Sequence, residues 1–167
     1  EYIRGLDIKN YLIHNNTSLL TNYICDIIDN LSDFGEGESK DYTEVYQKKL
    51  SFITGDEGFL FTKDELIDKL PKMIPQTQYH GDLTLENILF TDPGFCMIDP
   101  LTSEYDSYIF DIAKLRQDLE CKWFIRKYDV KIDTKLQRIQ DKLLRTYPNA
   151  FNDNLLILML MRVYQYC

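Results

Sequence analysis

The chain has 167 residues, 44% hydrophobic and 28% charged, the size and balance of one soluble globular domain rather than a disordered segment. Its formal net charge of −8 disfavours duplex nucleic acid as a partner, because such binding rests on Lys and Arg neutralising phosphates. Any bound polyanion must be held locally, by backbone N–H groups, a few basic side chains or divalent cations.

In chain order, Leu19, Leu20, Tyr23, Ile24, Ile27, Ile28 and Leu31 form a stripe of helical period, which predicts a helix from Ser18 to Leu31 capped by Thr17 or Ser18. Asp33 to Asp41 is polar and contains two glycines, so it is expected to be an exposed loop. A helix is predicted from Thr43 to about Ile53. Another begins at Thr62-Lys63-Asp64-Glu65, which has capping-box spacing, and Pro71 and Pro75 end or kink it. Ile88-Leu89-Phe90 and Phe95-Cys96-Met97-Ile98 are short apolar runs around Thr91-Asp92-Pro93-Gly94, a pattern that predicts a β-hairpin. Helices are expected near Asp111–Leu119, Thr134–Tyr147 and Asn154–Tyr166, with Ile132, Leu136, Ile139, Leu143 and Leu144 on one amphipathic face. The fold class is therefore α+β, mostly α.

The four cysteines (Cys25, Cys96, Cys121 and Cys167) are widely spaced, without C-x-x-C or a paired histidine, and read as buried free thiols of a reducing compartment. No signal peptide or membrane span is predicted, so a cytoplasmic location is expected. The chain starts at Glu1 rather than methionine and stops at Cys167 inside an apolar run, so a fragment of a longer protein is expected.

The chemistry gathers around the hairpin. Asp82 and Asn87 lie five positions apart just before its first strand, and Asp99 lies just after its second. Antiparallel strands sit roughly 5 Å apart, so Asn87 and Asp99 are expected to face one site. A carboxylate and an amide oxygen suit Mg²⁺ bridging phosphate oxygens. Asp82 could accept the proton of an attacking hydroxyl, the division of labour found in protein kinases.

Three motifs carry a resemblance: His80-Gly81-Asp82-Leu83-Thr84-Leu85-Glu86-Asn87, then Met97-Ile98-Asp99-Pro100, then Tyr108-Ile109-Phe110-Asp111-Ile112-Ala113-Lys114-Leu115. In that order, with a hairpin between the first two, they resemble the aminoglycoside phosphotransferase and choline kinase superfamily. Within it, they look closest to the phosphotransferase-family proteins of bacterial surface-polysaccharide (capsular) biosynthesis. The resemblance implies a protein-kinase-like C-terminal lobe over 1–167, with a hinge remnant at 1–5, the catalytic loop and metal-binding hairpin at 80–99, and C-terminal helices at 111–167. It implies Asp82 as the catalytic aspartate, Asn87 and Asp99 as Mg²⁺ ligands, and His80 and Asp111 as braces of the catalytic loop. It also implies that Glu1, Tyr2 and Ile3, at the hinge, contact the base of ATP or GTP.

The sequence departs from that family in two places. The small N-terminal lobe, with its phosphate-covering loop and strand lysine, has no counterpart, and no G-x-x-x-x-G-K-[ST] loop is present. The acidic Gly55-Asp56-Glu57-Gly58 cannot replace that loop. Thr84 stands where the family often has a basic or imidazole side chain that helps neutralise the transferred phosphate. The Asp99–Asp111 segment is too short for a long activation loop, and no Ala-Pro-Glu follows it, so a small-molecule kinase acting on a sugar or amino alcohol is favoured over a protein kinase. A catalytically inactive binding module is the other alternative, and the chain by itself is expected to be inactive. His14, Asp92 and Asp106 are expected to be surface, turn or solvated residues, and Glu86 to be non-catalytic.

Overall fold

The computed structural model describes residues 3–33, 37–54 and 59–164. Its elements run β1 (Leu6–Asp7), α1 (Ile8–His14), α2 (Ser18–Asp33), β2 (Ser39–Asp41), α3 (Thr43–Ser51), α4 (Lys63–Lys69), β3 (Met73–Pro75), β4 (Ile88–Thr91), β5 (Gly94–Met97), α5 (Tyr108–Cys121), α6 (Asp133–Thr146) and α7 (Asp153–Tyr164). The architecture is α+β and mostly helical. One antiparallel sheet has the order β1-β4-β5, and a second pairs β2 with β3. No helix among the described residues is long and apolar enough to cross a membrane.

Local chemistry explains several boundaries. Leu20, Ile24 and Ile28 recur every four residues and are fully buried, which fixes the inward face of α2. At α4 the capping box forms: Glu65 N donates to Thr62 Oγ1 at 3.2 Å, and Thr62 N donates to Glu65 Oε2 at 2.7 Å. That helix stops with Leu70 in the extended region, as the residue before Pro71 prefers.

Two expectations need correction. Ser39–Asp41, read as loop, forms β2 and pairs with Met73–Pro75, so Lys40 faces Ile74 across the ladder. That pairing is long-range, and the polar composition of the segment conceals it. Leu144, placed on the buried face of α6, is 44% exposed, whereas Ile132, Leu136, Ile139 and Leu143 are buried. Helical spacing turns Leu144 one step past the edge of the apolar stripe.

Two apolar cores meet at α5. One gathers Leu12, Leu20, Ile24, Leu83, Leu85, Ile88, Ile112 and Leu115 with Ile139 and Leu143 of α6. The other gathers Tyr42, Tyr46, Leu66, Ile74, Phe110 and Ala113 with Leu155 and Leu158 of α7. Helix α5 is therefore enclosed on most sides, and its polar residues Asp111, Arg116, Gln117 and Asp118 are buried as well. Burying charge without partners is costly, so these groups are expected to hold something in place.

Candidate active site

The predicted hairpin forms, with Ile88 opposite Met97, Leu89 opposite Cys96, Phe90 opposite Phe95 and Thr91 opposite Gly94. Its inner face is anchored by aromatic packing. Tyr11 of α1 lies 4.8 Å from Phe90 and 5.0 Å from Phe95 between ring centroids, and Tyr23 of α2 lies 5.3 Å from Phe95. The ladder extends one step past the strands, because Ile98 N donates to the Asn87 carbonyl at 3.0 Å. Asp99 therefore follows directly after the residue paired with Asn87, which brings the two onto one end of the hairpin. Asp99 has φ of +55°, a left-handed backbone that is uncommon for non-glycine residues.

The loop before the hairpin is held from two sides. Gly81 has φ of +83°, and a Cβ there would lie 2.1 Å from the Leu101 carbonyl oxygen, so only glycine fits. Leu101 N in turn donates to the His80 carbonyl at 2.9 Å. From the other side, Asp111 accepts from His80 N at 2.6 Å and from Gly81 N at 2.9 Å. Farther along the same helix, Asp118 accepts from Leu85 N at 2.7 Å. Between them, Lys114 Nζ lies 3.5 Å from Asp82 Oδ1. Asp111, Lys114 and Asp118 are spaced three and four apart, so they form one polar row on α5 that grips the loop at three successive points.

Burial sets the electrostatics of that row. It pushes the Asp111 carboxyl up to about 6, although the backbone amides of His80, Gly81 and Leu83 favour the ionised form. It pushes Asp118 up to about 7 against the opposing amide of Leu85. Burial also holds the His80 imidazole below its ordinary value, outweighing the Ile98 carbonyl and the nearby carboxylates of Asp82 and Asp99. His80 is thus neutral at pH 7, and its Nε2–H donates to the Ile98 carbonyl at 3.0 Å, tying the loop to the end of β5. His80 and Asp111, expected to brace the loop, make these contacts with it.

Asp82 and Asn87 meet. Asn87 Nδ2 donates to Asp82 Oδ2 at 3.0 Å and to the Asp82 carbonyl at 2.8 Å. With its nitrogen committed, Asn87 has Oδ1 left to face a cation. Oδ1 and the exposed Asp99 carboxylate are hard oxygen donors of the kind Mg²⁺ takes, with phosphate oxygens and water completing its shell. Among the described residues, no group of three or more His, Cys, Asp and Glu forms a dedicated metal cage. Beside Asp99 opens a cleft of about 650 Å³ lined by Ile3, Gly5, Leu89, Met97, Ile98, Asp99 and Pro100. Of these lining residues, Asp99 alone is charged. Ile3, expected at the nucleotide base, is one of its lining residues, while Glu1 and Tyr2 lie outside the described residues.

Sequence reasoning missed three residues here. Lys114 and Asp118 could have been found from their helical spacing with Asp111, since charge recurring at three and four on an apolar helix marks a buried polar face. Asp106, expected to be solvated, is instead a hub: it accepts from Lys40 Nζ at 2.8 Å, Tyr42 Oη at 2.7 Å and Gln76 Nε2 at 2.6 Å. No local pattern announces that cluster, because its members come from distant segments. Asp92 stands exposed in the hairpin turn, His14 is exposed at the end of α1, and Glu86 is exposed with Arg126 3.5 Å away.

No family model matches the chain, and no curated protein sequence matches it. By structure, the chain is similar to glucosamine kinase (crystal form B), with a TM-score of 0.55 at 16% identity, covering 96% of this chain and 52% of that one. It is similar also to glucosamine kinase in complex with glucosamine, ADP and inorganic phosphate, with a TM-score of 0.54 at 15% identity, covering 99% and 54%. The chain spans about half the length of the glucosamine kinase chains it matches. At this identity the likeness is one of fold, shared with kinases.

Proposed function

We propose that the chain is the catalytic lobe of a small-molecule kinase resembling the aminoglycoside phosphotransferase and choline kinase superfamily, which moves the γ-phosphoryl group of ATP, or of GTP, to a hydroxyl. The observation that carries this reading is the Asp82 carboxylate, oriented by Asn87 Nδ2 at 3.0 Å, with Asp99 brought to the same hairpin end by the Asn87–Ile98 bond. The acceptor hydroxyl gives its proton to Asp82 as its oxygen forms a bond to the γ-phosphorus. The bond from that phosphorus to the β,γ-bridging oxygen breaks, and the nucleoside diphosphate leaves with the electron pair. Asn87 and Asp99 would hold Mg²⁺, which when bound neutralises charge on the phosphates. The apolar lining of the cleft, which includes Ile3, Leu89 and Met97, suits a nucleobase.

The acceptor is proposed to be a sugar or an amino alcohol. Support comes from the short Asp99–Asp111 segment and from the structural likeness to a glucosamine kinase in complex with glucosamine, ADP and inorganic phosphate. The parts that cover the ATP phosphates in the resembled family are proposed to come from sequence outside these residues. Calorimetric titration of the full-length protein with ATP and Mg²⁺ tests the nucleotide half of the reading. Asp99→Ala is expected to weaken binding at least about tenfold when Mg²⁺ is present and little when it is absent. Equal affinity in both proteins with Mg²⁺ would contradict the assignment.

A further inference from the structure

Lys114 sits 3.5 Å from Asp82 Oδ1, and its side chain is 17% exposed against 31% for Asp82. Asp82 is the one carboxylate in ion-pair range of its ammonium among the described residues. An ammonium carries three donors, so the Asp82 contact leaves others able to meet a ligand. Two residues after Asp82, where the resembled family often carries a cation, this chain has Thr84, which is neutral and only 6% exposed. The loop therefore lacks its own positive charge at the point where phosphate charge must be met. Helix α5 supplies one instead, from the residue between the two carboxylates that grip the loop.

We propose that Lys114 is a catalytic residue of the phosphotransfer reading above, on which this inference rests: its ammonium contacts the transferred phosphoryl oxygens and takes over the task that Thr84 cannot perform. In the resting site the Lys114 cation and the Asp82 anion offset each other. When the acceptor hydroxyl passes its proton to Asp82, that carboxylate becomes neutral and the ammonium is left uncompensated. Its charge then acts on the equatorial oxygens of the phosphoryl group as they pass from the nucleotide to the acceptor oxygen. The interaction is thus stronger in the transition state than in the ground state, which raises kcat rather than substrate affinity. The placement on α5 also fixes where the side chain springs from, because Asp111 and Asp118 pin the same helix to the loop on either side. A lysine serving only to tie helix to loop would not favour the transition state in this way.

The test compares full-length wild type with Lys114→Met, Lys114→Arg and Asp82→Asn, using radiolabelled ATP, Mg²⁺ and a panel of sugars and amino alcohols. Lys114→Met is expected to lower kcat about 10²–10³-fold while KM for ATP and acceptor stays within about threefold. Lys114→Arg, which keeps the charge, is expected to recover at least about tenfold of that loss. Should Lys114→Met fail to fold, Lys114→Gln carries the same comparison. A neutral variant with kcat within about twofold of wild type, or a loss confined to KM, overturns the assignment. So does a folded Lys114→Arg as slow as the neutral variant. If wild type transfers no phosphate, or Asp82→Asn transfers it fully, the phosphotransfer reading fails and this inference with it. If wild type is active, Asp82→Asn is inactive and Lys114→Met is unimpaired, only the role of Lys114 fails.

Discussion

Replacing Gly81 with alanine would place a methyl carbon 2.1 Å from the Leu101 carbonyl oxygen, on a backbone with φ of +83°. The left-handed conformation alone costs an L-residue about 1–2 kcal/mol. Relief of the overlap requires movement, and both partners are tethered. Leu101 is held through its N–H to the His80 carbonyl at 2.9 Å, a bond whose loss costs about 1 kcal/mol. Gly81 is held through its own N–H to the Asp111 carboxylate at 2.9 Å, and bonds to charged groups contribute about 1.5–3 kcal/mol. Strain plus one broken tether therefore comes to about 2–5 kcal/mol. Gly94→Ala is the matched control: its φ is +131°, but nothing lies within 4 Å of the added methyl, so it reads backbone strain alone. Urea unfolding of both variants, analysed by linear extrapolation, should find Gly81→Ala the costlier by at least about 1 kcal/mol. Equal costs, or a Gly81→Ala cost below about 1 kcal/mol, would refute the packing of the loop at His80 and Gly81 against Leu101.

Asp106→Ala should remove the shared acceptor of Lys40, Tyr42 and Gln76 and cost about 2–4 kcal/mol in chemical denaturation, whereas Tyr42→Phe, which deletes one donor, should cost about 1 kcal/mol. A single cost shared by both variants would deny the hub. For Asp118, the folded-state value of about 7 lies above the ordinary unfolded carboxyl value of about 4, so the folded protein takes up a proton first as pH falls. Its contribution to stability is fully present below the unfolded value and is lost as pH rises through about 7. Wild type should therefore gain thermal stability relative to Asp118→Asn between about pH 8 and pH 5. Asp111, raised in the same direction, is present in both proteins and cancels from that difference. Melting curves that stay parallel across the range would contradict the buried ionisable state. Thr62→Ala should cost about 1 kcal/mol, the usual worth of an N-cap side chain, read by the same denaturation.

Much of this site was legible because its signals are local. The Asp-Pro-Gly turn between two apolar runs specifies the β4–β5 hairpin, and the Thr62/Glu65 spacing specifies the start of α4. The hairpin then places Asn87 and Asp99 together, as antiparallel pairing requires. What stayed hidden depends on distant segments. The Ser39–Asp41 strand exists only because Met73–Pro75 lies beside it, and Asp106 becomes a hub only when Lys40, Tyr42 and Gln76 converge on it. The left-handed backbone of Asp99 leaves no mark on composition. Lys114 is the intermediate case. Its spacing from Asp111 was readable, but its meaning needed the fold to put Asp82 within 3.5 Å. That the loop carries Thr84 rather than a basic residue is legible in the sequence, whereas the cation that α5 brings beside Asp82 shows only in three dimensions.

The central claim is that Asp82 serves the transfer of phosphate to a small hydroxyl acceptor. It is tested most directly by incubating the full-length protein with γ-labelled ATP, Mg²⁺ and glucosamine alongside other sugars and amino alcohols, with Asp82→Asn in parallel. The account predicts label on a small molecule from the wild type and a loss of at least about 10³-fold in the variant. Label on polypeptide instead, no transfer to any acceptor, or an Asp82→Asn rate equal to wild type would contradict it.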